Sequence, residues 1–422
     1  MRRVAVTGIG LVSAFGCDAE AVWRALCAGE SATRQLDAID GDRFAGAIGA
    51  PVSGFSPREY IDGKLLRLMT PAVAFGVAAA ELAARDSGRD FAAVDPTRLG
   101  AFVGSRGHST DRQDLLAAVQ LATEHGRFRL DTYGAEGLAR VNPMWLLKGL
   151  ANNVLYFISL KYNAQGMNNN VSMGGIAGTM AIGEGFEAIR HGDVDVAFAG
   201  GYDSCLDADR LEMFSRAGLF ASSDDPRRAS QPFSATRTGF VPGEGAAMFL
   251  MESLDLAQAR GARIYGELLG YGNATGRSSP AATRASAEGF ARALEVAMRD
   301  AAGVSADAVF AHGFATREID EEETRGLKHA FGAAAETIAA PAVTSMIGFT
   351  FAASGAIQAA IALLALRDGR LPPTINLVER DPACDLDYVA GTEARPATLN
   401  AVAVNTANLA GAHAALIIGK VT

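Results

Sequence analysis

The stretch "NNNVSMGGIAGTMAIGEGFEAIRHGD", Asn168 to Asp193, sets the reading of this chain. Small residues crowd its first third, and from Ala177 a helical pattern of apolar positions follows. This is the shape of a loop that delivers a nucleophile to the start of a helix, where the partial positive end of the dipole stabilises an anion. At the tip of the turn, however, stand only Met173, Gly174 and Gly175. None of them offers a nucleophile.

Working outward, the same grammar recurs along the chain. Residues 193–204, "DVDVAFAGGYDS", read as a strand ending in glycines, and residues 243–253, "GEGAAMFLMES", as a strand apolar on both faces. Upstream, "RRVAVTGIGLVSAFG" is a buried strand with a Gly-rich turn, and "AEAVWRALCAGES" an amphipathic helix with a Gly stop. "LRLMTPAVAFGVAAAELAARDSG" is a long helix whose alanines imply close packing, and "RLGAFVGS" is a strand. The second half repeats the pattern. It has a strand and glycine turn at 263–276, an amphipathic helix at 286–303 and a strand, loop and helix at 308–332. A buried helix at 355–369 and a strand, loop and strand at 401–420 complete it. The pattern predicts a layered α/β protein in two similar halves, 1–253 and 254–422.

The 422 residues are nearly half apolar, enough for a large core, and few are aromatic. Lys and Arg number 38 against 47 Asp and Glu, a net charge of −9, and no basic run stands out. That pattern argues against nucleic acid and anionic membranes as partners. An acidic carrier protein needs a local basic patch, and Arg227, Arg228 and Arg237 are its candidates, with a solvated loop as the plainer reading. Cys17, Cys27, Cys205 and Cys384 show neither metal-ligand nor disulfide spacing and read as reduced apolar fillers. No signal-peptide pattern precedes the first strand, and no uninterrupted apolar run reaches about 18 residues. These features lead us to expect a cytoplasmic protein without a metal or other cofactor.

Six segments, in order, carry a resemblance. "VAVTGIGLVSAFG" looks like a first strand and turn, and residues 173–201 are similar to TACAAGxxAIGEAxxxIRxGxxDxxxAGG. "SQPFSATRTGFVPGEGAAMFLME" is similar to PFDxxRDGFVxGEGA, and "AHGFATREIDEEET" to HGTxTxxNDxxET. "TSMIGFTFAASGA" is similar to KSxxGHxxGAAGA, and "AVNTANLAGAHAALI" sits where NSFGFGGxNA is found. Together they resemble the ketosynthase branch of the thiolase superfamily along essentially the whole chain. The resemblance implies a five-layer αβαβα sandwich of two similar halves, normally dimeric.

It also implies what the turn has lost. The family's nucleophilic Cys falls at Gly175, which has no side chain to acylate. Of the two histidines that stabilise the reacting enolate and oxyanion, the first matches His312 and the second falls at Phe349. The family lysine falls at Thr344, and the glycine-phenylalanine gate within Asn408-Leu409-Ala410-Gly411. His312 is then either a buried relic or a ligand contact. Asp320 and Glu323 are expected to cap the helix that follows, and His413 to pack locally or lie at the surface. The remaining histidines are scattered, without metal spacing.

Within this family, a chain with intact fold motifs and no nucleophile resembles the chain-length factor, or ketosynthase-β subunit, of type II polyketide and polyene systems. The resemblance implies no catalysis of its own, a heterodimer with a Cys-bearing ketosynthase, a shared acyl tunnel and an acyl carrier protein as donor. This chain departs in carrying Gly175 where many chain-length factors carry Gln. Two other readings stay open. One is a cysteine-free enzyme using His312 for decarboxylation or acyl transfer; the other is a homodimer that only binds acyl chains or carrier protein. Met144, Trp145 and Tyr156, with Leu409 at the gate, are the tunnel candidates, and ordinary core packing is the alternative for the first three.

Overall fold

A computed structural model describes residues 1–37, 39, 44, 46–109, 111–276 and 285–421. The principal elements of the first half are β1 (Val4–Val12), α1 (Ala19–Cys27), α2 (Pro71–Ser87), β2 (Leu99–Gly104), α3 (Arg112–Leu121) and α4 (Asn153–Tyr162). They continue with β3 (Asn168–Val171), α5 (Ala177–His191), β4 (Val196–Ser204), α6 (Ala208–Arg216) and β5 (Glu244–Ser253). The second half has β6 (Gly266–Thr275), α7 (Ala287–Asp300), β7 (Ala308–Phe310), α8 (Arg317–Phe331), α9 (Ser354–Asp368), β8 (Ala401–Ala407) and β9 (Ala412–Gly419).

The main strands join in the order β7-β8-β9-β6-β1-β5-β4-β2-β3. The order hides a repeat. In the first half the spatial order β3-β2-β4-β5-β1 is, in chain order, 3-2-4-5-1. In the second half an extended segment at Ala339 bridges β7 in parallel, and Ala339-β7-β8-β9-β6 is again 3-2-4-5-1. Parallel and antiparallel pairings also match. The second and fourth strands run parallel in each half, and the fourth to fifth and fifth to first pairs are antiparallel. The two halves meet where β1 and β6 pair antiparallel over Val4↔Leu268, Ala5↔Glu267 and Val6↔Gly266.

Helices cover both sheets and separate them. On β4, Val196 and Phe198 point into the core under α2, while Ala197 and Ala199 point to the core around α5 and α9. This period-two alternation lets one strand serve two layers. Helices α7 and α8 cover the far side of the second sheet. The layers are therefore α2, sheet, α5 with α9, sheet, and α7 with α8, a thiolase-like five-layer sandwich. Close approach of helix to strand is written into glycines that repeat with the fold. A Cβ at Gly8 or Gly10 of β1 would lie 2.2 or 1.8 Å from a carbonyl oxygen of α2. At Gly270 or Gly272 of β6 it would lie 2.2 or 2.3 Å from one of α7.

The central helices are the most buried. Every residue from Ser354 to Leu366 is buried. Residues Phe351–Asp368 form a helical run of 18 residues apolar enough to cross a membrane by length and composition, although Ser354, Gln358, Arg367 and Asp368 interrupt it. Here its apolarity is explained by its place between two sheets.

Candidate functional site

Strand β3 leads into a tight turn, Gly174–Ile176, and then α5. Gly174 takes φ 57°, the left-handed region that glycine enters without strain. Gly175 is the more telling residue. A Cβ built on it would sit 2.4 Å from the carbonyl oxygen of Ala407 and 3.4 Å from the ring edge of Phe349. The C-terminal loop has closed over the turn, and Asn408 Nδ2 holds it there by donating to Met173 O at 3.1 Å.

His312 follows β7 and is buried. Its Nδ1 accepts the backbone N–H of Ala407 at 3.3 Å, which places the ring proton on Nε2. Burial, and secondarily His413, push its pKa down to about 3, so the imidazole is neutral at ordinary pH. Thr344 is buried beside it and donates from Oγ1 to Gly313 O at 2.7 Å, a neutral contact.

Glu323 and Asp320 do not cap α8 as expected. They hold the loop in front of it. Glu323 accepts the N–H groups of His312 (2.7 Å) and Gly313 (2.9 Å), together with Asn405 Nδ2 (3.2 Å). Asp320 accepts those of Ala315 (3.0 Å) and Phe233 (2.8 Å). A helix cap serves the N–H groups of its own first turn, whereas Asp320 in the first turn and Glu323 in the second point back to N–H groups outside the helix. Burial raises Glu323 to about 8, against the pull of Gly313 and His312 N–H. Burial likewise raises Asp320, opposed by Arg237, whose Nε lies 3.2 Å away but is not aligned for a hydrogen bond. Arg237 is therefore no surface residue. It is buried and paired with Asp320 and Asp381, which removes it from any basic patch and leaves Arg227 and Arg228 exposed. His413 is also buried, edge-on to Phe290 at 4.5 Å, so it belongs to the core and not the surface.

The rest of the chamber is filled with phenylalanine. Phe349 packs against Phe314 (4.8 Å), Phe351 (4.7 Å) and His312 (4.9 Å). Phe240 touches Phe214, Phe220, Phe314, Phe349 and Phe351. Leu409 is half-buried at the edge of the same cluster. Phe351 takes φ 46°, a conformation bulky residues avoid. Stacking on Phe214 at 4.9 Å and Arg210 over its ring at 5.3 Å hold it there. Sequence reasoning singled out only Phe349. Phe351 is its near neighbour in sequence, but Phe214, Phe220, Phe240 and Phe314 come from distant segments, and only folding brings them together.

The comparisons with known proteins now have a geometry to meet. The beta-ketoacyl synthase N-terminal domain model matches residues 1–257, and the C-terminal domain model residues 265–378. The chain belongs to the beta-ketoacyl synthase family. It is 31% identical to 3-oxoacyl-[acyl-carrier-protein] synthase 2 of Coxiella burnetii, over 100% of this chain and 99% of that one. It is 36% identical to the putative polyketide beta-ketoacyl synthase 1 of Streptomyces cyaneus, over 99% and 98%. Among solved structures it resembles the ishigamide ketosynthase/chain length factor, with TM-score 0.86 and 31% identity over the whole of both chains. It also resembles a type II polyketide-synthase ketosynthase solved with its acyl-carrier protein, with TM-score 0.85 and 26% identity, again over both whole chains.

Within this synthase fold the remaining candidates lie away from the turn. Met144 and Tyr156 are exposed, at 38% and 50%, and Trp145 is half-buried with its ring 6.5 Å from His108. Ordinary core packing does not describe the two exposed ones. Among the described residues, every exposed large apolar side chain except Met1, Met213, Val304 and Val378 falls between Leu116 and Met173. This segment includes β3, the last strand of the sheet, whose outer edge has no strand beside it. Large contiguous apolar patches and open sheet edges are both features that soluble proteins cover with a partner.

Proposed function

We propose that this chain is a non-catalytic ketosynthase-like subunit, a chain-length factor, that pairs with a Cys-bearing ketosynthase. Together they would build polyketide, polyene or fatty-acid-like chains on an acyl carrier protein. The observation that carries the reading is the 2.4 Å between a Cβ at Gly175 and the Ala407 carbonyl. A lost side chain alone could be restored by one codon. Here the Ala407 carbonyl lies in the space a side chain at Gly175 would need, and Phe349 presents an apolar ring where condensing chemistry would need a hydrogen-bonding group.

The apolar segment from Leu116 to Met173, with the open edge of β3, supports the pairing. A homologous ketosynthase would present a matching edge, and an obligate interface of this type buries more than about 2,000 Å². Met144, Trp145 and Tyr156 lie within that segment, where they would line a tunnel shared with the partner, with Leu409 closing it on this chain's side. The division at Ser253 and Leu254 would separate two thiolase-like halves that act as one body.

The test is co-expression with a Cys-bearing ketosynthase from the same source. A one-to-one heterodimer by native mass spectrometry is expected, with product formed only when both chains are present. Exclusive homodimers, together with a ketosynthase that works equally well alone, would refute the pairing and favour a homodimeric acyl-binding module.

A further inference from the structure

One segment of this chain is turned inside out. The buried face of α3 carries Asp114 and Ala118, one turn apart, while Leu116, Val119 and Leu121 are about 40% exposed. A surface helix ordinarily does the opposite, burying its apolar stripe and exposing its charges. The inversion continues through the exposed Phe128 into a short helix, Trp145–Lys148, where Leu146 and Leu147 face outward and Lys148 is drawn in. Among the described residues, no side chain between Asp111 and Leu150 joins a hydrophobic core cluster.

Polar contacts hold the segment instead. Asp114 Oδ2 accepts Lys148 Nζ at 2.7 Å, and its Oδ1 accepts Asn142 Nδ2 at 2.6 Å. The Asp114 backbone carbonyl takes the Asn142 N–H at 3.0 Å. Lys148 also reaches Asp111 Oδ2 at 3.3 Å, and Asn142 Oδ1 takes the N–H of Met144 at 3.0 Å. The side chains of Asp114 and Lys148 are 8% and 14% exposed, so the pair is largely out of water. One carboxylate gathers three places in the chain: the start of α3, the turn at Asn142 and the short helix. Asn153 Nδ2 then ties the carbonyls of Leu147 and Lys148 to the head of α4.

We propose that Asp114 and Lys148, with Asn142, are positioning residues for the pairing. They clamp this segment in the arrangement that keeps its apolar side chains outward, toward the Cys-bearing ketosynthase subunit. This rests on the pairing described under the proposed function. Apolar side chains left in water favour collapse on one another, and a segment without a core of its own has no apolar packing to oppose it. A largely buried ion pair does oppose it, because separating the charges leaves each desolvated without its partner. Without the clamp the pairing-competent arrangement is populated only part of the time, and the apparent dissociation constant rises by the inverse of that fraction. The exposed apolar residues continue along α4 at Tyr156 and Leu160 to Met167, just before the open-edged β3.

The test uses the co-expressed pair. Native mass spectrometry over a dilution series gives the dissociation constant, and hydrogen exchange on the assembled pair reports the segment and the core separately. Lys148→Met keeps most of the side-chain stem and removes the charge. It should weaken pairing roughly tenfold or more, since breaking a largely buried ion pair is costly. Amide exchange should speed up in α3 and Trp145–Lys148 and stay unchanged in α9. Exchanging the charges, Asp114→Lys with Lys148→Asp, should recover most of the loss, which a packing defect alone would not allow. A dissociation constant for Lys148→Met within about twofold of wild type overturns the proposal. So does an exchanged pair that assembles no better than Lys148→Met. Failure of Lys148→Met to fold at all also overturns it, since the pair would then hold the core and not the pairing surface. A wild-type pair that assembles, with variants that match it, refutes only this inference, whereas a wild-type pair that does not assemble refutes the pairing and this inference with it.

Discussion

Phe349 stands edge-on to His312, with ring centroids 4.9 Å apart and planes at 82°. Two family histidines would share a reacting oxyanion at this place. Here one is a hydrocarbon ring, and the other spends its Nδ1 on the N–H of Ala407. Gly175 offers no atom to acylate, and Phe349 offers no hydrogen-bond donor. The chain alone, incubated with acyl- and malonyl-carrier protein, should give no condensation product and no mass increment on intact-protein analysis. A thioester on any of Cys17, Cys27, Cys205 or Cys384 with product formed would contradict this.

Gly175→Cys should not restore catalysis and should also destabilise the fold. Its Cβ meets a backbone oxygen at 2.4 Å, so the turn or the Ala407 loop must shift. Overpacking of this kind costs about 1–3 kcal/mol. Phe349 still offers no donor, and lack of one oxyanion donor costs roughly 2.7–4 kcal/mol in the transition state. Urea titration and a condensation assay of the same sample check both halves. Recovery of ordinary family rates by this one change would show that the site was never disabled.

The phenylalanine cluster should now contribute to stability as a core does. Phe240→Ala removes the ring that joins five others. It should destabilise by about 3–5 kcal/mol, within the range for buried Phe→Ala. Equilibrium denaturation measures this, and a loss below about 1 kcal/mol would mean that the chamber collapses or is open in solution.

Acidification should expose His413. Burial pushes its pKa down to about 4, below the usual 6.5. A depressed histidine favours the neutral folded form, so its contribution is present above pH 6.5 and is lost as pH falls through 4. Glu323 works in the opposite sense, since its pKa is raised, so the histidine must be isolated by difference. The stability gap between wild type and His413→Asn should shrink between pH 6.5 and 4. A gap that is constant across that window would show that His413 does not titrate with folding.

The repeat of strands, glycines and helices was legible in the sequence because each depends on local pattern. Gly8 and Gly10 under α2 recur as Gly270 and Gly272 under α7, and the apolar runs alternate as sandwiched strands must. That Gly175 has no side chain to acylate, and Phe349 no polar group, was equally plain, since a missing functional group needs no geometry to be read. Where the surrounding side chains point was decided only by folding. Arg237 sits beside charged residues in no local pattern, and burial with Asp320 and Asp381 depends on segments far apart in the chain. Asp320 and Glu323 lie near the start of a helix, yet they face backward and accept the N–H groups of the loop before it. The filling of the chamber and the closure of Ala407 over Gly175 are likewise tertiary. Each is a matter of a few ångströms between residues remote in sequence, set by close packing of the whole sandwich and by no segment alone.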